Sequence, residues 1–324
     1  MTLSKAFIKK GRGQRRPAED FYSRTHEDHF MTYPADYEKQ EGVFQAHDGL
    51  KLYYRHFRHR DEMGRLLILH GHGEHSGRYE KFAAELAPLK LSIAMMDLRG
   101  HGRSEGRRVF VNSFEDYLRD VDSFAAFLEA QNKRFAPFIL LGHSKGGLLA
   151  VLWAMRFPEK LKGLVLSSPC LGLKFPAFLI GFNRALRHLA PWFVYRNPVY
   201  PPYLTHNLEE LARYKRDTLI QRKISPALLD AMIRAMKDIK DVSHVRFPFP
   251  VMILASGLEK VVDLDQTRAF YEKLETPSKE LKIFEGYYHE IFNELGQEKV
   301  FEALKGALNR MMTLERRLPG LKEL

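Results

Sequence analysis

The pentapeptide Gly142-His143-Ser144-Lys145-Gly146 follows the apolar run Phe138-Ile139-Leu140-Leu141 and opens a helical pattern over residues 145–157. A serine hydroxyl is a weak nucleophile at neutral pH and needs a base to take its proton. It also needs a sharp strand-to-helix turn that holds the hydroxyl clear, and such a turn tolerates only tiny residues two positions either side, here Gly142 and Gly146. Ser144 is therefore the candidate nucleophile of an acyl transfer. The competing reading is a tight turn with a capping serine.

In this architecture acid and base follow the serine in chain order. Gly286-Tyr287-Tyr288-His289 comes after the strand pattern at 281–284, so His289 stands on a strand-end loop from which an imidazole reaches across the sheet edge. Two carboxylates follow the apolar run 251–255. Glu259, directly past the run, is preferred; Asp263 is the alternative acid, and its other reading is the N-cap of the next helix. Donors for the developing oxyanion are expected from the backbone N–H of Lys145 and from that of His72 in the turn His70-Gly71-His72-Gly73. A metal-assisted alternative would gather His70, His72, His75, Asp97 and His101 around an ion. The interleaved glycines suit a backbone hole better, so no metal is expected. No cofactor is expected either, because the glycine-rich turn lacks the G-x-G-x-x-G spacing of a dinucleotide site.

These loops need strands to carry them. Residues 43–46 and 51–57 read as a hairpin, and 66–69, 92–96, 138–141, 164–166, 251–255 and 281–284 as buried strands. Between them lie amphipathic helices: one after Ser113 as N-cap, one from 145, one from about Leu264, and a last from about Glu290 to Met312. The alternation implies an α/β fold with a mostly parallel sheet flanked by helices. It fails between about 171 and 248, a stretch too long for a structureless loop, which reads as an inserted helical cap. The expected organisation is a basic N-terminal extension (1–40), a core (41–170 and 249–324) and the cap (171–248).

Composition narrows the class. An apolar fraction of 45% with 28% charged residues excludes a disordered or collagen-like chain, and a single cysteine, Cys170, excludes an intrachain disulfide and a Cys-based zinc cage. The net charge of +11 is uneven: residues 1–16 carry six Lys/Arg and no acid, and 171–247 carry thirteen against six acids. Such regions favour anionic surfaces. No recognised nucleic-acid fold accompanies the charge, so nucleic acid is not expected as a partner and peripheral contact with an anionic membrane is. No run approaches the ~18–20 apolar residues of a membrane span. Lys9-Lys10-Gly11-Arg12 interrupts what would be a signal h-region, so a cytoplasmic protein is expected, peripheral at the membrane.

The segments His70-Gly71-His72-Gly73-Glu74-His75-Ser76-Gly77-Arg78-Tyr79, Asp97 to Gly106, the turn at Ser144, and Glu285-Gly286-Tyr287-Tyr288-His289-Glu290 together resemble the monoglyceride lipase and lysophospholipase branch of the serine α/β-hydrolases. The resemblance spans about residues 40–312. It implies the α/β-hydrolase fold, a carboxylic ester of a single-chain lipid as substrate, Ser144 as nucleophile, His289 as base, and the hole at His72 and Lys145. This chain departs from the family in having Glu259 where Asp is usual, and Lys145 where Met commonly follows the serine. Cap aromatics, with Phe178, Phe182 and Trp192 chosen as substrate-binding, are expected to line an acyl tunnel. The basic excess of the cap leans toward a lysophospholipid over a monoacylglycerol. The alternative reading is a non-catalytic α/β-hydrolase scaffold that binds lipid or a partner. Oligomeric state is left open.

Overall fold

The structure is a computed structural model and describes residues 34–132, 136–174, 177–197 and 199–314. The basic run at residues 1–16 lies outside the described residues. The first strands are β1 (Tyr37–Gln45), β2 (Lys51–His59), β3 (Gly64–Leu69), β4 (Leu91–Met96), β5 (Phe138–His143) and β6 (Leu161–Ser167). β1 begins inside the segment read from sequence as extension and pairs with β2 from Tyr37 against His59 to Gln45 against Lys51. Helices α1 (Lys81–Glu85), α2 (Glu115–Gln131) and α3 (Lys145–Arg156) fall between them. α2 starts two residues after Ser113, whose Oγ accepts the Glu115 N–H at 3.2 Å.

After β6 come α4 (Ala177–Leu189), β7 (Tyr195–Arg196), α5 (Leu208–Arg216), β8 (Lys223–Ile224), α6 (Pro226–Asp241) and β9 (Val245–Arg246). The chain then returns to the sheet with β10 (Val251–Ser256), α7 (Leu264–Lys273), β11 (Leu274–Glu275), β12 (Lys279–Phe284) and α8 (Glu298–Leu314). The last helix starts eight residues later than its apolar spacing suggests. Residues Ile291–Asn293 form a single 3-10 turn, and Gly296 sits at φ 79°, which breaks helical continuity.

Among the described residues eight strands form one sheet in the order β1-β2-β4-β3-β5-β6-β10-β12. β2 runs antiparallel to β1 and β4, and the pairs from β4 to β12 are parallel. This is the α/β-hydrolase fold. Side chains alternate between its faces with the period of two that a strand imposes. Leu67, Leu69, Ala94, Met96, Leu140 and Leu166 pack with α2, α3, α6 and α7 on one side; Leu66, Ile68, Ile93, Met95 and Leu141 pack with Phe82 of α1 and with α8 on the other. Each such buried leucine, isoleucine or methionine contributes about 1.5–3 kcal/mol. Burial on both faces makes the strands continuous apolar runs, and their carboxyl ends share one edge of the sheet.

Candidate active site

Ser144 stands between β5 and α3 with φ 51° and ψ −117°, a conformation that strains any residue with a side chain. The crowding around it explains the glycines. A methyl group at Gly142 would lie 2.3 Å from the Gly146 carbonyl oxygen, and one at Gly146 would lie 2.1 Å from that of Leu69. The turn is fixed from outside by the Ser144 N–H donating to the Ser167 carbonyl at 3.0 Å and the Cys170 N–H donating to the Ser144 carbonyl at 2.9 Å.

His289 arrives on the loop after β12, which Gly286 turns at φ 80°. Its Nε2 lies 2.9 Å from Ser144 Oγ and its Nδ1 lies 2.9 Å from Glu259 Oε2. A carboxylate only accepts, so Nδ1 carries the proton and Nε2 is free to accept the serine hydroxyl hydrogen. Burial works against an imidazolium here, but Glu259, with Glu290 and Glu74 beyond it, outweighs that and raises the His289 pKa above the usual histidine value. Burial likewise opposes the Glu259 carboxylate. His289 and the N–H groups of Val261 and Val262, which Oε1 accepts at 2.7 and 3.2 Å, outweigh it and hold this carboxyl below the usual range.

Asp263, the alternative acid, is engaged elsewhere: it caps α7 by accepting the Asp265 N–H at 3.1 Å, and lies 3.8 Å from Lys174. His72 lines the same cavity as Ser144, and Lys145 is the first residue of α3. Among the described residues neither of their backbone N–H groups has a protein acceptor. The histidines of the metal alternative do not converge on a centre. His70 bonds the Gly71 carbonyl and the Leu98 N–H; His75 bonds the Gly77 N–H and Asp217; His101 bonds the Arg99 carbonyl and Lys145.

Ser144 and His289 open onto a cavity that is also lined by Gly71 and His72. One part is apolar, with Leu173, Val199, Ile224, Leu229, Met232 and Val261. Phe178, Phe182 and Trp192 are not among its lining residues; they are 72%, 63% and 52% exposed. The physical reason is that α4 turns Asn183 inward, where it meets the Pro226 carbonyl and the Tyr195 hydroxyl, leaving the Phe178/Phe182 stripe outward.

The other part of the cavity has a polar wall for which sequence reading assigned no role. Arg78 donates to both oxygens of Glu290 at 2.7 and 2.6 Å and to Glu74 at 3.0 Å. Glu74 in turn accepts the Gly71 N–H at 2.6 Å and the Tyr79 hydroxyl at 2.7 Å. Burial opposes the charge on Glu290, yet Arg78 brings its pKa down to about 2. The signal available was the presence of all three residues in the segments that carry the family resemblance.

The insertion is tied to both flanks of the site through backbone. Glu290 N–H donates to the Leu204 carbonyl at 2.8 Å and Gln221 N–H to that of Gly73 at 2.7 Å, while His72 Nε2 donates to the Lys223 carbonyl at 3.0 Å.

Residues 60–296 match the family profile Hydrolase_4, described as serine aminopeptidase, S33. Phospholipase YtpA of Bacillus subtilis is 30% identical over 244 residues, covering 74% of this chain and 93% of that protein. Human monoglyceride lipase is 32% identical over 260 residues, covering 76% and 82%. The chain spans only 47% of the length of another relative, the uncharacterized Escherichia coli protein YnbC. Among solved structures, the monoacylglycerol lipase of Paleococcus ferrophilus superposes with a TM-score of 0.70 at 28% identity, over 85% of this chain and 99% of that one.

Proposed function

Because the chain belongs to the Hydrolase_4 family, in the monoglyceride lipase and lysophospholipase branch of the α/β-hydrolases, we propose that it hydrolyses carboxylic esters of single-chain lipids through an acyl-enzyme on Ser144. The observation that carries this reading is the His289 imidazole, 2.9 Å from Ser144 Oγ on one side and 2.9 Å from Glu259 on the other. His289 takes the hydroxyl proton as Oγ attacks the ester carbonyl. Glu259 stabilises the imidazolium, the amides of His72 and Lys145 bind the oxyanion, and the proton passes to the leaving alcohol. Water, activated by the same imidazole, then releases the fatty acid. A fluorophosphonate probe should label Ser144, and Ser144→Ala should abolish labelling and ester turnover; turnover by the alanine variant would refute the reading.

The charge of the cavity favours a neutral leaving group over a phosphate ester. Its wall holds two carboxylates, Glu74 and Glu290, against one guanidinium that both of them engage, and among the described residues the insertion adds no Lys or Arg to the lining. Several basic residues of the insertion point outward, with Lys174, Arg213, Arg234, Lys237 and Arg246 all well exposed. That distribution replaces the lean toward a lysophospholipid with one toward a monoacylglycerol.

The insertion also exposes Phe178, Phe182, Leu189, Trp192 and Phe193, apolar side chains suited to a lipid–water interface. The reading places substrate capture at an anionic bilayer surface. No helix among the described residues is long and apolar enough to cross a membrane.

A further inference from the structure

Lys145 is a lysine whose amine is wholly buried. It is 0% exposed, and among the described residues no carboxylate lies within ion-pairing distance of its amine. Nζ is 3.0 Å from His101 Nε2 and 4.5 Å from the centre of the Tyr117 ring. His101 Nδ1 faces the Arg99 carbonyl at 3.0 Å, which fixes the proton on Nδ1 and leaves Nε2 as an acceptor for the amine.

The His101 ring also packs edge-on against His72 with centroids 5.7 Å apart, and against His70 at 5.5 Å. The side chains of the two candidate hole residues, which sit on different elements, thus meet at one buried imidazole. Lys145 itself is absent from the cavity lining, so its amine is not placed to touch substrate.

We propose that Lys145 and His101 form a clamp that sets the spacing of the His72 and Lys145 backbone amides, making both side chains positioning residues for the reaction at Ser144. The inference rests on the acyl-enzyme reading above. Hole donors act at about 2.7–3.1 Å from the oxyanion, so a few tenths of an ångström between two separately carried amides changes how well both engage. The groups facing the amine are His70, His72 and His101 from the loops after β3 and β4, Tyr117 from α2, Cys170 after β6, and Glu74 further off. Burial outweighs the pull of Glu74 and Cys170 and holds the lysine far below its usual range. The amine donates to the acceptor Nε2 of His101.

Lys145→Met keeps the stem and the backbone N–H and removes the donor. With p-nitrophenyl butyrate, kcat should fall about tenfold, short of the 10²–10³ expected for losing a hole donor outright, with KM within about twofold. A trifluoromethyl ketone, whose hemiketal oxyanion occupies the hole, should bind more weakly by the same factor, and a non-hydrolysable 1-O-alkylglycerol ether should bind unchanged. His101→Leu approaches the clamp from its other side, and the double variant should be no slower than the slower single variant. Complete fluorophosphonate labelling of each variant certifies its fold. Unchanged kcat and ketone affinity in both single variants, or single effects that multiply in the double, overturn the clamp. Failure of the wild-type protein to label overturns the acyl-enzyme reading instead.

Discussion

Glu259 reaches His289 with one carboxylate oxygen, 2.9 Å from Nδ1, while its other oxygen accepts the amides of Val261 and Val262. The longer side chain is thereby anchored by its own loop and presents a single fixed oxygen to the imidazole. Glu259→Ala should lower kcat by about 10³–10⁴, the scale of losing the group that orients a catalytic imidazole. Glu259→Asp withdraws the carboxylate by one methylene and should cost about 10–100-fold. Steady-state kinetics on a short p-nitrophenyl ester checks both, and an unimpaired alanine variant would remove Glu259 from the mechanism.

The raised His289 pKa predicts the acid limb of activity. The base works as neutral imidazole, so kcat/KM should fall as pH drops through a midpoint above the ordinary histidine value of about 6.5. Glu259→Gln removes the principal stabiliser of the imidazolium and should move that midpoint down. Stability runs with the opposite sign: the fold favours protonated His289, so its contribution is complete below about pH 6.5 and is lost as pH rises through the folded value. A pH–rate profile with its midpoint unmoved in the glutamine variant would contradict the assignment.

Arg78 between Glu74 and Glu290 predicts a specific fragility. Arg78→Met leaves two buried carboxylates without their cation and should cost about 3–5 kcal/mol in denaturant unfolding. Glu290, held at about 2, contributes stability that is present above the ordinary carboxyl range and fades as pH falls toward 2. The wild-type melting temperature should therefore drop on acidification below about pH 4.5, and the drop should be shallower in Arg78→Met. Equal slopes would show that the triad of charges is not the acid-sensitive element.

The same wall bears on substrate choice. At matched acyl length, kcat/KM for a monoacylglycerol should exceed that for lysophosphatidate by at least about tenfold, or about 1.4 kcal/mol of discrimination. A preference for the phosphate ester would point to a cation recruited from outside the cavity.

The outward aromatics of α4 separate interfacial capture from chemistry. Phe178→Ser combined with Phe182→Ser should reduce turnover of a monoacylglycerol embedded in anionic vesicles several-fold and leave hydrolysis of a short dissolved ester within about twofold. Equal losses on both substrates would return these rings to the acyl site.

How far the sequence could be read follows from how local each feature is. The turn at Ser144 is written within five residues, although only Gly142 answers a contact inside the turn, with the Gly146 carbonyl; Gly146 answers the Leu69 carbonyl of β3. His289 is legible from its place after a strand pattern. The Arg78–Glu290 pair joins residues 212 apart, and no spacing rule announces such a partnership. Phe178 and Phe182 mislead for a related reason. An apolar stripe on a helix says that one face avoids water, and whether a cavity, a core or a lipid surface supplies the shelter is decided by what lies beside the helix. Between Glu290 and Gln297 the apolar spacing mimics the helix that follows, and only the left-handed Gly296 reveals the break.

The backbone bonds from the Glu290 N–H to Leu204 and from the Gln221 N–H to Gly73, with the His72 ring donating to the Lys223 carbonyl, give the insertion a meaning beyond cover. It is stitched into the two loops that carry His289 and His72. Excising it would strand the Glu290 N–H on one bank of the cleft and the Gly73 carbonyl and His72 ring nitrogen on the other. A pared-down descendant lacking it would have to find new partners for all three groups.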